Sequence, residues 1–401
     1  MSGSWELLDL VARWIHVVAG IMWVGNSLLF NWLDRSLVAP VSPGQTKRPS
    51  GTIWLLHSGG FYYVEKTLLH DEKMPARVHW FMWQAYTTWI TGALLLVIVY
   101  YAGGRAALRD PTVADLTHWQ AVLVGIGALV LGRVVYEGMQ GQLARSRPWL
   151  AAAIWITALA GIAIALTQLL SGRAAFLHVG AMLGTIMAGN VGSTIVPSQK
   201  ALVASVVGSR GASQEFSDRA KRVSIHNNYF TFPVIILMLA SHYPAVYGHR
   251  WNWLLMLVLV AAGAGVRHVL NLRWTYAAWK PALAATIGAA VIALFGVLTW
   301  GRQPGAAEAA GSGPPATFEE VRHVIDRRCG VCHSARPTDL TFGSTPAGVT
   351  FDTPQQIVMH AQRIRERTVI SRTMPPGNTT GITESERALL DRWVSAGATV
   401  D

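Results

Sequence analysis

Long apolar runs recur through the first three quarters of the chain, whereas the last quarter shows the short amphipathic period of helices that sit in water. The first run, residues 7–33, carries few charges and at about 1.5 Å per helical residue exceeds the ~30 Å hydrocarbon layer of a bilayer. Trp5 and Trp32 fall near its two ends, where indole rings anchor at headgroup level. Further runs predict spans over residues 78–101, 118–139, 149–170, 175–196, 226–247, 251–272 and 281–300, eight in all. In the polar connection up to Arg77, the Gly and Pro of residues 40–51 read as loop and residues 61–70 as a short interfacial helix. Residues 301–316, rich in Gly, Ala and Pro, read as a flexible linker between a membrane domain (1–300) and a C-terminal domain (317–401).

The C-terminal pattern is all-α and small. Thr317 and Glu320 form a capping box ahead of a helix through Arg328, and Thr383 and Glu386 repeat it ahead of a helix with the apolar stripe Leu389, Leu390 and Trp393, closed by Gly397. The first of these helices leads into Cys329-Gly-Val-Cys332-His333, which holds the only two cysteines of the chain. Two thiols at this spacing followed by an imidazole are the signature of covalent haem c attachment, with His333 as an iron ligand. A redox dithiol would need a βαβ setting and a zinc site a second ligand pair, and the pattern offers neither. Met374, in the stiff Thr373-Met374-Pro375-Pro376-Gly377 segment, is the candidate for the opposite iron ligand; Met359 is its rival but reads as a packing residue. The domain resembles a small class I cytochrome c.

Composition changes the picture in one respect. A chain that is 51% hydrophobic and 14% charged, with mean hydropathy +0.32, is too apolar for water, so a lipid bilayer is its expected partner. The net charge of +11 does not indicate nucleic acid, because the basic residues are scattered between spans. They follow topology instead. Haem c is attached outside the cytoplasm, which the cytochrome resemblance implies; with eight spans both termini then lie on that outer, periplasmic side of a bacterial inner membrane. The loops left inside carry Arg35, Lys47, Arg48, Lys66, Lys73, Arg77, Arg145, Arg147, Lys200, Arg210, Arg219, Lys221, Arg222, Arg273 and Lys280, against Arg105, Arg109, Arg173, Arg250 and Arg302 outside. That is the positive-inside bias. Glu6 and Asp9 stand where a cleavable signal would be basic.

The spans carry a weak duplication, which makes the membrane domain a candidate tandem four-helix repeat. Trp14-Ile-His16 leading to Gly25-Asn26 matches Phe176-Leu-His178 leading to Gly189-Asn190; His79 and His226 open spans two and six, and Arg133 and Arg267 lie toward the inner ends of spans three and seven. A pseudo-two-fold axis would pair His16 with His178 and His79 with His226, each pair a candidate clamp for a haem b. A histidine hydrogen-bonded between helices is the bland alternative.

The run Arg13-Trp-Ile-His-Val-Val-Ala-Gly-Ile-Met-Trp-Val-Gly-Asn, the His226-Asn-Asn-Tyr-Phe-Thr-Phe-Pro opening of span six, Ser241-His242-Tyr243 and the appended haem motif together are similar to the bacterial membrane-bound, cytochrome-c-linked urate hydroxylases. The resemblance implies oxidation of urate with water to 5-hydroxyisourate. Electrons would leave through the c haem to a respiratory acceptor, a soluble cytochrome c or a terminal oxidase. A planar anion rich in carbonyl and N–H edges calls for guanidinium and amide groups. Arg133, Arg267, Asn26, Asn190 and Asn227 are the candidates for substrate binding, and Glu137 or His226 for taking a proton as water adds. Arginine at an inner helix end also snorkels to lipid phosphate, and Asn227 and Asn228 also suit a helix start. Two other classes stay open: a haem-bearing electron-transfer subunit of a separate dehydrogenase, and, more weakly, a transporter built on tandem repeats.

Overall fold

The structure is a computed structural model that describes residues 2–38, 51–67, 69, 74–102, 105–140, 143, 146–208, 213–300, 316–339 and 345–400. The expected linker, the 40–51 loop and His70 lie outside the described residues, apart from Gly51 and Ala316.

Among the described residues, eight helices are long and apolar enough to cross a membrane. They are α1 (Ser2–Ser36); α2 (Met82–Leu96), prolonged by a π-helical turn Val97–Ala102; α4 (His118–Met139), after the short α3 (Arg105–Leu108); and α5 (Pro148–Leu169). The second half holds α6 (Gly172–Asn190), which runs through a π-helical turn Val191–Ile195 into α7 (Val196–Val207), then α8 (Gln214–Ala240). After the short α9 (Pro244–Tyr247) come α10 (Asn252–Leu272) and α11 (Trp279–Trp300). Two spans, the sixth and the fifth, depart most from the expected bounds. The sixth span starts at Gln214 because its first turns are polar yet helical, and hydropathy registers only the apolar part; it ends at Ala240, ahead of Pro244. The fifth continues twelve residues past the π turn as α7 for the same reason.

The expected helix over residues 61–70 is not formed. Gly51–His57 and Gly60–Lys66 pair as an antiparallel hairpin, with Trp54 opposite Tyr63. Ser58 and Gly59 take φ of 50° and 76°, the doubly left-handed turn that matches strand twist, and Ile53, Trp54, Phe61, Tyr62, Tyr63 and Val64 are strand-formers. The molecule is therefore mostly helical rather than all-α.

α6 is the centre of the bundle. Phe176, Val179, Met182, Leu183 and Ile186 are fully buried against α4, α5 and α8. Consecutive spans pack on one another, α1 on α2, α4 on α5, α8 on α6 and α10, and α11 on α10. The outer helices are bare: α11 has no buried residue, with Ile292 74% and Phe295 67% exposed. Side chains of that size gain about 1.5–3 kcal/mol each by leaving water, so lipid is the solvent that suits this surface.

The C-terminal region has its own core of Val321, Ile325, Ile357, Leu390 and Trp393. It contains α12 (Phe318–Arg328), α13 (Pro354–Met359), α14 (Ala361–Ile364) continuing as a π-helical stretch Arg365–Ile370, and α15 (Glu384–Ser395). Both expected capping boxes are formed, and Thr353 with Gln356 adds a third. The region rests on one end of the bundle: a Cβ on Gly377 would stand 2.8 Å from the Arg109 carbonyl oxygen, and one on Gly248 2.6 Å from that of Ser371. Gly377 also has φ of 57°, so this contact point needs glycine for both space and conformation.

Candidate functional site

Toward the bundle end remote from the C-terminal region, α4, α6 and α8 bury polar groups against each other. On α4, Arg133, Tyr136, Glu137 and Gln140 follow one another at helical spacing and form one stripe. The Arg133 guanidinium donates to Glu137, to Asn190 Oδ1 at 3.0 Å, to Ser193 Oγ at 2.8 Å and to the Ile186 carbonyl at 3.2 Å. Asn190 Nδ2 donates to the Tyr136 hydroxyl and to Asn227 Oδ1, both at 2.9 Å, while Asn227 Nδ2 donates to the Met187 carbonyl at 3.0 Å. The Tyr136 hydroxyl in turn donates to His226 Nδ1 at 2.8 Å, and Gln140 Nε2 lies 3.1 Å from the same nitrogen. With Nδ1 accepting, the neutral imidazole carries its proton on Nε2. Five of the candidates, Arg133, Glu137, Asn190, Asn227 and His226, are thus brought together, through a tyrosine the sequence reading passed over.

A second cluster occupies the other face of α8. Asn228 Oδ1 accepts from Arg267 Nε at 2.8 Å and from Asn271 Nδ2 at 2.9 Å, and the Arg267 guanidinium lies over the Phe232 ring, 5.5 Å from its centroid. Arg267 is 5% and Asn271 7% exposed. Tyr229 Oη and His268 Nδ1 are 2.7 Å apart across the same pair of helices. Asn271 was missed, although Arg267 and Asn271 stand four apart on one helix face, a spacing legible in the sequence. Asn26 joins neither cluster: its Nδ2 donates to Gln84 Oε1 at 2.7 Å between α1 and α2.

The histidines do not face one another as pairs. His16 Nδ1 donates to the Thr88 carbonyl at 2.8 Å, and its ring fills the notch left by Gly92. His178, fully buried, donates from Nδ1 to the Ala174 carbonyl at 2.8 Å and accepts at Nε2 from the Tyr101 hydroxyl at 2.9 Å, in the notch of Gly125. Thr88 and Tyr101 stand about thirteen residues apart on the α2 path, roughly 15–20 Å along its axis, too far for one porphyrin to be held by both imidazoles. Both ring nitrogens of His178 are moreover engaged. His79 is exposed in the coil before α2, edge-on to Phe81, while His226 is held by α4. These residues as arranged do not fit a haem b.

The haem c candidates fare differently. Cys329 and Cys332 are free thiols, not a disulfide. Burial pushes the Cys329 thiol up to about 12, and burial followed by the Asp339 carboxylate pushes Cys332 up to about 11. A redox dithiol shows the opposite shift, toward an acidic thiolate. His333 Nδ1 donates to the Val349 carbonyl at 2.9 Å, which fixes the tautomer and leaves Nε2 as the lone-pair nitrogen, the arrangement an iron-binding imidazole needs. The ring packs on Phe351 at 5.2 Å and borders an open, largely polar cleft of about 300 Å³ that Arg322, Asp326, Val331, Thr338 and Phe351 also line. Met374 is pinned through its backbone: its N–H donates to the Arg367 carbonyl at 2.9 Å and its own carbonyl accepts from buried Arg387 at 3.3 Å. Met359 does not pack as expected; it is 71% exposed, because α13 turns its buried side, Ile357, the other way. Arg328 joins Glu386 in a two-pronged ion pair at 3.0 Å, tying the helix before the motif to α15. The residues present therefore fit covalent haem.

No curated protein matches the chain, and no solved structure does. Residues 2–299, the whole membrane bundle, match the family described as urate oxidase N-terminal. The chain accordingly belongs to the urate oxidase N-terminal family, a membership that points to an oxidoreductase acting on urate.

Proposed function

We propose that the protein is a membrane-bound, cytochrome-c-linked urate hydroxylase. Urate and one water give 5-hydroxyisourate, two protons and two electrons. Cys329 and Cys332 would hold a haem c covalently, with His333 and Met374 offered to its iron, and the group would supply one-electron redox chemistry, so the two electrons of each urate would leave singly for an external respiratory acceptor. The observation that carries this reading is the joining, on one chain, of a urate-oxidase-family bundle to a haem-attachment motif whose histidine presents an unprotonated Nε2. The chain's own residues do the rest. Arg387 and Arg367 hold the Met374 segment in place, and the Val349 carbonyl orients His333. The C-terminal region meets the bundle through the same Ser371–Gly377 stretch that bears Met374, which keeps the acceptor against the membrane domain.

Visible spectra of the purified full-length protein under argon, before and after urate, test the proposal. Urate alone is expected to produce the reduced c-type bands. Failure of urate to reduce a haem that dithionite reduces would overturn it, and reduction that appears only after a second protein is added would make the chain an electron-transfer subunit.

A further inference from the structure

The two polar clusters of the bundle differ in what they leave over. In the α4–α6–α8 cluster no buried side-chain atom lacks a partner among the described residues. The Arg133 charge is met by Glu137, and its remaining N–H groups by Asn190, Ser193 and a carbonyl. Such a network holds helices together and has little valence to give a ligand.

The α8–α10 cluster is incomplete. Arg267 Nη2 and Asn271 Oδ1 are both buried and both without a hydrogen-bond partner. No carboxylate pairs with Arg267 among the described residues, so a guanidinium more than nine-tenths buried keeps its charge uncompensated. An unpaired buried donor and an unpaired buried acceptor are each costly, and together they define what would satisfy both. Arg267 and Asn271 are tied side by side by their shared acceptor, Asn228 Oδ1, and so offer one cationic donor next to one neutral acceptor. The complement is an anionic or carbonyl oxygen adjoining an N–H on the same planar edge. Phe232, under the guanidinium, supplies an aromatic wall. At the same end Arg35 and Arg273 both stand over Trp274, at 5.8 and 3.8 Å, and add positive charge that draws an anion toward it. Pro233 has no N–H to give the Tyr229 carbonyl, which loosens α8 beside the cluster.

We propose that Arg267 and Asn271 form the subsite for the purine edge: Arg267 Nη2 donates to a ring oxygen of the urate anion, and Asn271 Oδ1 accepts from the neighbouring ring N–H. This rests on the urate reading above and locates recognition between α8 and α10 rather than at Arg133. A phosphate ester, from a lipid headgroup or free, would meet Arg267 but has no N–H for Asn271.

The test is equilibrium dialysis of labelled urate against the full-length protein kept reduced with dithionite, so that binding is read without turnover. Arg267→Gln and Asn271→Leu are each expected to raise Kd about tenfold to a hundredfold, with the c-type spectrum unchanged. Inorganic phosphate at millimolar level is expected not to displace urate from the wild type. Should Arg267→Gln fail to fold, Asn271→Leu, which removes only the acceptor, decides. Wild-type affinity in Asn271→Leu, or displacement of urate by phosphate, overturns the subsite while leaving the functional reading intact. If the wild type binds no urate at all, the functional reading fails first.

Discussion

Ile292 in α11 and Met359 in α13 are almost equally bare, 74% and 71% exposed, yet the same exposure means opposite things in the two regions. The bundle turns Leu, Ile, Phe and Trp outward and keeps Arg, Asn and Tyr between its helices, whereas the C-terminal region gathers Val, Ile, Leu and Trp inside and shows charge outside. Helix ends differ in the same direction, though not uniformly. α12, α13 and α15 all begin with a full capping box; in the bundle α4 has one at Thr117 and α6 a Ser171 cap, while α2, α5 and α10 begin at Phe81, Arg147 and Trp251 with no side-chain cap. In water an uncapped end costs about 1 kcal/mol, which a small domain needs; at a membrane surface, packing and headgroups can carry ends such as those of α2, α5 and α10. One chain thus solves the same problem for two solvents.

The largest expected effect would separate the regions outright. Changing Cys329 and Cys332 together to serine should abolish haem staining on a denaturing gel and leave the C-terminal region open to protease, while the bundle stays in the membrane fraction. Next comes charge on the two bare positions: Ile292→Lys, near the middle of α11, should cost about 3 kcal/mol of membrane insertion, read by glycosylation mapping. Met359→Lys should change the melting of the C-terminal region by less than about 0.5 kcal/mol. Equal costs would mean that the two surfaces see one solvent. Arg133→Leu should lower the detergent-melting stability of the bundle by about 2 kcal/mol, because Glu137 and Asn190 lose their partner. The smallest effect is Thr317→Ala, about 1 kcal/mol on the C-terminal region alone, through loss of the cap to Glu320.

Which of these features were legible beforehand follows from the range of the interactions involved. Apolar runs and capping boxes are local, and eight spans appear in the expected order, with shifted ends in the fifth and sixth, as do the boxes at Thr317 and Thr383. The hairpin is legible too, in Ser58-Gly59 between two aromatic and β-branched runs, but an apolar stretch beside a membrane suits an interfacial helix by hydropathy alone. Hydropathy was blind to Gln214–Ile225, a polar stretch that continues a span as helix. Pairing His16 with His178 assumed an exact two-fold relation; the first histidine packs on Gly92 within its own half and the second on Gly125 of the other half.

The residues of the candidate sites divide in the same way. Sequence alone determined that the chain has eight lipid-length helices, a water-type helical region after them, and within that region a Cys-x-x-Cys-His motif and a methionine followed by two prolines, since each depends on neighbours a few positions away. It also named the arginines and amides at the remote end of the bundle. Only the tertiary structure decided that Arg133 is matched by Glu137, Asn190 and Ser193 while Arg267 and Asn271 keep a donor and an acceptor unspent. Whether a buried polar group is satisfied depends on which face of a neighbouring helix it meets, and no pattern along a single helix contains that information.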